Sequence, residues 1–130
     1  MKLSKAKLTA LKKLFKKYPL IKVVYLFGSQ ARGDSDALSD YDFAVYVDPT
    51  QKKKAFDILL KLSSEIGSVL HTDNYDVVVI NLIDNLILKN NIVNQGVVLY
   101  EVSGYRINLE VSIVGEYRDF RILESQYYPD

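Results

Sequence analysis

No cysteine occurs among the 130 residues. That excludes a disulfide framework and a thiolate metal site, and it makes the cytoplasm the default location. Long hydrophobic runs are missing too: no apolar stretch approaches the ~20 residues of a membrane span. The opening segment MKLSKAKLTALKKLFKKYP carries lysines throughout and no continuous apolar stretch, so it does not read as a secretory signal. Neither an internal repeat nor a low-complexity linker divides the chain. A hydrophobic fraction of 48% and a charged fraction of 25% are those of a globular protein. The length suits one hydrophobic core, so a single domain over residues 1–130 is expected.

The net charge of +1 hides an asymmetry. Residues 1–61 hold 13 Lys/Arg against 6 Asp/Glu, and residues 62–130 hold 4 against 10. A basic front half can attract phosphates. Most of its lysines also fit the solvated face of an amphipathic helix. The aromatic interleaving that binds single-stranded nucleic acid is absent from the lysine-rich stretch, so direct nucleic-acid binding is not expected.

Leu8, Leu11, Leu14 and Phe15 recur at helical spacing and predict a helix over Leu3–Lys17. Tyr18-Pro19 ends it, because the residue before a proline avoids the α region. The β-branched run Leu20–Phe27 reads as a buried strand, closed by Gly28-Ser29. A short helix over about Ser29–Arg32 precedes a polar loop from Gly33 to Ser39. Tyr41–Val47 is a second strand. Asp48 or Thr50 can cap a helix over about Gln51–Gly67, with Phe56, Leu59, Leu62 and Ile66 inward. Tyr75–Ile80 is a third strand, and a helix over about Leu82–Asn94 follows, with Leu82, Leu86 and Val93 on one face. Gly96 terminates it before a fourth strand, Val97–Glu101. Beyond that, Tyr105, Ile107, Leu109, Val111 and Ile113 alternate like a strand, while Leu109, Ile113, Tyr117 and Phe120 fit a helical face. Periodicity leaves both open. The order predicts a mixed α/β (α+β) domain with one sheet of about four strands flanked by helices.

The chemistry concentrates in GSQARGDSDALSDYDFAVYV, residues 28–47. Asp40 and Asp42 are one residue apart at a strand start, so their carboxylates project to one face. Such a pair repels itself unless it is solvated or neutralised by a cation. Mg²⁺ takes a few carboxylates together with phosphate oxygens. Gly28-Ser29 follows a strand and opens a helical turn. A glycine lets phosphate approach the backbone, helix N-terminal amides favour it, and the Ser29 hydroxyl adds a donor. Arg32 can contact a phosphate or pair with Asp34 or Asp36. Asp76 begins an apolar strand and is preferred over Asp73 as a third carboxylate, either for a second metal or as a general base.

Gly28-Ser29, ten residues, then Asp40-x-Asp42 resembles the signature of the DNA polymerase β-like nucleotidyltransferase superfamily. The fuller string, with Ala31-Arg32-Gly33 and Ser39, is similar to the minimal nucleotidyltransferase (MNT) antitoxins of HEPN/MNT (type VII) toxin–antitoxin pairs. The resemblance extends to Gly96 with the strand ending Tyr100-Glu101, and to Tyr117-Arg118-Asp119-Phe120. It implies that the C-terminal segment is a helix. It further implies that ATP is the nucleotide and that Asp40, Asp42 and Asp76 are the catalytic, metal-holding carboxylates. Gly28 and Ser29 hold the triphosphate, and AMP passes to a tyrosine of a HEPN RNase toxin. Three alternatives compete with this expectation. A non-catalytic antitoxin would act by binding alone, in a homo- or hetero-oligomer. An RNA-binding protein would rest on the basic front half. A small-molecule adenylyltransferase would usually add a substrate-binding domain, for which 130 residues leave no room.

Overall fold

The computed structural model describes residues 3–28 and 41–127. A first helix, α1, spans Lys5–Lys16, with Ser4 capping it by accepting from the Lys7 amide. Strand β1 covers Ile21–Phe27 and β2 covers Tyr41–Val47. A 3₁₀ stretch over Pro49–Lys54 leads into α2, Ala55–Leu70. Strand β3 is Tyr75–Val79, α3 is Leu86–Gln95, β4 is Val97–Glu101 and α4 is Arg106–Tyr127.

The four strands form one sheet in the order β3-β2-β1-β4. β1 pairs antiparallel with β2 and with β4, and β2 pairs parallel with β3. Each face is covered. Val24, Leu26, Phe43 and Val45 pack against Leu11, Phe15, Leu62 and Ile66 of α1 and α2. Val23, Tyr25 and Ala44 pack against Ile92 of α3 and Leu109 and Ile113 of α4. Burial on both faces explains why β1 is apolar without alternation: Val23, Val24, Tyr25 and Leu26 are all fully buried. The expected mixed four-strand sheet with flanking helices is what the chain builds.

Asn81 fixes the end of the sheet opposite the β1–β2 connection. Its side-chain oxygen accepts from the Val47 amide and its side-chain nitrogen donates to the Val47 carbonyl, each at 2.9 Å. The amide thus imitates one rung of a strand where β3 has already ended. Gly96 also has a specific job. Its backbone is extended, and its amide donates to Ile92 O at 2.8 Å. A Cβ there would stand 2.4 Å from that same carbonyl oxygen. The glycine ends α3 by allowing close approach, not by turning left-handed.

Several expected details shift. Phe56 is 58% exposed, and Ala55 and Ile58 are buried in its place beside Leu62 and Ile66. The 3₁₀ stretch sets the phase of α2, and six residues separate Phe56 from Leu62. At about 100° per residue Phe56 therefore lies well round the cylinder from the buried stripe. Leu82 lies in a 3₁₀ turn, Ile80–Leu82, and is exposed. α3 starts later because the Asn85 side chain accepts from the amides of Ile87 and Leu88. Its buried residue is Ile92, with Leu88 and Val93 packed nearby. The C-terminal segment is a helix, buried at Leu109 and Ile113. The strand alternation of Tyr105 to Ile113 is overruled because Ile107 and Val111 are left outside, 73% and 67% exposed. No helix among the described residues is long and apolar enough to cross a membrane.

Tyr18 links the turn after α1 to α2 by donating to the Glu65 carboxylate. Burial first, and then Glu65, push its phenol up to about 12. The unfolded chain releases that proton near pH ~10. The folded state thus holds the proton more tightly. This contribution to stability is complete below pH ~10 and disappears as pH rises towards ~12. Denaturant midpoints followed across that range should fall less steeply for Tyr18→Phe than for the wild type. Parallel slopes would refute the linkage.

Candidate active site

The carboxylates are placed by strand pairing. In the parallel β2–β3 ladder, Asp42 stands opposite Asp76. In the antiparallel β1–β2 ladder, Phe27 stands opposite Asp42. Adjacent strands lie about 4.8 Å apart, so the two aspartates begin one strand spacing from each other. They also share a face. Ala44 and Val78, two residues along each strand, both pack on the α3–α4 side, and side chains alternate across a strand. Asp42 and Asp76 therefore head the α3–α4 face of the sheet at one end. Asp42 is half-buried and Asp76 is exposed.

Gly28 completes the local geometry. Its φ is +77°, a left-handed backbone open chiefly to glycine. A Cβ at this position would sit 2.5 Å from Asp42 Oδ2. The chain thus turns at the end of β1 so tightly that the Asp42 carboxylate occupies the space a side chain would fill. This is a physical reason for a glycine at the head of the motif, beyond its freedom to turn.

Two ionised carboxylates one strand apart repel each other, which favours a cation held between them. An oxygen-only donor set, with Asp42 seated over a side-chain-free backbone, fits a hard divalent cation such as Mg²⁺. Of the expected site residues, the structure brings together Gly28, Asp42 and Asp76. Ser29, Arg32 and Asp40, the short helix over Ser29–Arg32 and the loop after it lie outside the described residues. Asp73 lies before β3 and has no rung in its ladder.

A second group of residues supports this face, and the sequence reading missed it. Tyr25, fully buried in β1, donates to Glu110 Oε1 of α4 at 2.8 Å. Burial, followed by that hydrogen bond, raises its phenol far above the usual range. Arg106 lies 3.1 Å from Glu101 and 4.0 Å from Glu110. This chain of polar contacts ties α4 to β4 and to the strand beside Asp42. The available signal was a tyrosine within the run Val23-Val24-Tyr25-Leu26-Phe27, since a buried phenol needs a partner.

A mixed sheet with paired carboxylates at the head of two strands, fronted by a glycine turn, defines a nucleotidyltransferase class of site. The family model for polymerase beta nucleotidyltransferases matches residues 9–104, and the chain belongs to that family. Within it, a protein adenylyltransferase of Aphanizomenon flos-aquae, MntA, is 33% identical over 99 residues. The match spans 71% of this chain and 65% of that relative, just under two thirds of its length. A crystal structure of a toxin–antitoxin pair with AMP-PNP contains a chain of the same fold: TM-score 0.68, 23% identity, 96% of this chain and 95% of that one. The complex of a tri-AMPylated Shewanella oneidensis HEPN toxin with its MNT antitoxin contains another: TM-score 0.66, 20% identity, 93% and 92% coverage.

Gly28→Ala tests the close approach directly. A methyl group must displace the Asp42 carboxylate, so nucleotidyl transfer should fall on the order of 100-fold. The left-handed backbone costs about 1–2 kcal/mol for alanine, so the thermal midpoint should drop only several degrees. Unchanged transfer rates would show that Asp42 does not depend on Gly28.

Proposed function

We propose that this protein is a Mg²⁺-dependent protein adenylyltransferase: an antitoxin that moves AMP from ATP onto a tyrosine of a HEPN-domain RNase toxin and so neutralises it. The observation that carries the reading is the rung Asp42–Asp76 beside Gly28, set in a chain 33% identical to a protein adenylyltransferase over most of its described length. The tri-AMPylated toxin in complex with a fold relative supports the choice of acceptor. The whole chain, 1–130, then acts as one nucleotidyltransferase domain in the cytoplasm.

The chain's own residues take distinct parts. The acceptor hydroxyl oxygen attacks the α-phosphorus of ATP, a new P–O bond forms, the bond to the β-phosphate oxygen breaks, and pyrophosphate leaves. Gly28 and Ser29 hold the triphosphate through backbone amides and the serine hydroxyl, and Arg32 adds charge against it. Asp40, Asp42 and Asp76 would hold Mg²⁺, which when bound supplies charge neutralisation on the phosphates. Asp76, the more exposed of the two described carboxylates, is also placed to take the proton from an incoming hydroxyl. Positioning and electrostatics then account for most of the rate.

The test is the intact mass of a cognate HEPN-domain protein, after incubation with ATP, Mg²⁺ and catalytic amounts of enzyme. One or more AMP increments are expected with the wild type and none with Asp42→Asn. No increment with wild type, or equal increments with both, would sink the proposal. Toxin neutralisation that persists in Asp42→Asn without modification would instead favour an antitoxin that acts by binding.

A further inference from the structure

None of the last ten residues of α4 is buried among the described residues. α4 starts beside β4, where Arg106 lies against Glu101. One turn on, Glu110 meets Tyr25, two residues short of Phe27, the strand partner of Asp42. The helix therefore climbs the face that carries Asp42 and Asp76, towards the end where they stand. Leu109 and Ile113 are buried on the way. From Arg118 to Tyr127 every residue is exposed. At 1.5 Å per residue this is an arm of about 15 Å.

The arm is not a polar tail. Phe120 is 38% exposed, Leu123 53% and Tyr127 76%. Their spacing continues the stripe of Leu109 and Ile113 along the same side of the helix. The stripe that packs the first half of α4 onto the sheet thus runs on past the core as exposed surface. Its charges cancel: Arg118 and Arg121 stand against Asp119 and Glu124. A neutral, apolar arm does not suit RNA or an anionic membrane surface, both of which call for net positive charge. It suits a protein surface.

Two comparisons narrow the partner. The match to the family model stops at residue 104, before α4 begins. The chain solved with a toxin and AMP-PNP covers 96% of this chain, too much to leave the 22-residue α4 out of the shared fold. α4 thus belongs to the fold shared with a chain solved beside a toxin and lies beyond the residues that the family model matches. We infer that the second half of α4 is the docking arm for the acceptor protein, seating the HEPN-domain partner by Phe120, Leu123 and Tyr127 so that its tyrosine faces Asp42 and Asp76. This rests on the function proposed above and adds to it the surface that selects the acceptor.

The experiment compares the full-length wild type with Phe120→Glu/Leu123→Glu, and with the milder Phe120→Ala/Leu123→Ala. The probe is a cognate HEPN-domain protein. Because the side chains are exposed, both variants should keep the thermal midpoint and the ATP affinity of the wild type. KM for the HEPN protein should rise on the order of 30-fold in the Glu variant, less in the Ala variant, with kcat within about twofold. Direct binding of the HEPN protein should weaken in step. Unchanged KM and binding in the Glu variant would overturn the inference. So would light scattering that shows a wild-type dimer lost in the variant while KM stays unchanged, because the arm would then serve a second copy of this chain. If the wild type binds the HEPN protein without transferring AMP, the catalytic proposal fails, and the loss of binding in the Glu variant still upholds the arm.

Discussion

The structure depends on one constraint: two like-charged carboxylates must be held side by side at the edge of an apolar sheet. Asp42 and Asp76 would separate if their strands were free to do so. The strands are not free. Val45 and Val79 lie on the same ladder, and Phe43 and Val45 are fully buried against the helical layer. Sliding β3 by one residue would send Asp76 to the other face and expose the row beneath it. The hydrophobic core thus sets the spacing of the acids, and their repulsion is what a divalent cation can relieve.

Around that constraint the rest of the fold has a division of labour. α1 and α2 cover one face and supply much of the large buried side chains. α3 and α4 cover the other, the face that the acids head. Gly96 lets α3 pass close to β1, while Tyr25, Glu110 and Arg106 hold α4 to β1 and β4. The polar contacts on this side are few and specific, as expected where a buried phenol and a guanidinium each need a partner.

Much of this was legible in the residues. The four strands and the β-branched character of β1 follow from period and composition. The preference for Asp76 over Asp73 rested on its contact with the apolar run Val77–Val79, and the ladder sets Asp76 opposite Asp42. What was not legible is phase. Phe56 and Leu82 looked inward because apolarity was read without the 3₁₀ turns that set where each helix begins. The Asn85 cap and the Pro49–Lys54 stretch decide those rotations, and neither leaves a hydrophobic signature. The pairing of Tyr25 with Glu110 spans 85 residues, a separation at which no local pattern carries information. The C-terminal helix was undecided by periodicity, since the exposed Ile107 and Val111 in its first half imitate alternation with Leu109 and Ile113.

The strand order carries a last consequence. Asp42 belongs to an interior strand bonded on both sides, whereas Asp76 belongs to β3, a five-residue strand at the margin of the sheet. The two acids therefore differ in mechanical stiffness. Asp42 is the fixed reference of the pair, and Asp76 stands on the strand with fewer restraints. Any change in their separation as charge builds up and is released during a turnover will fall mainly on β3, so the sheet margin serves as the compliant jaw of a vice whose other jaw is anchored in the core.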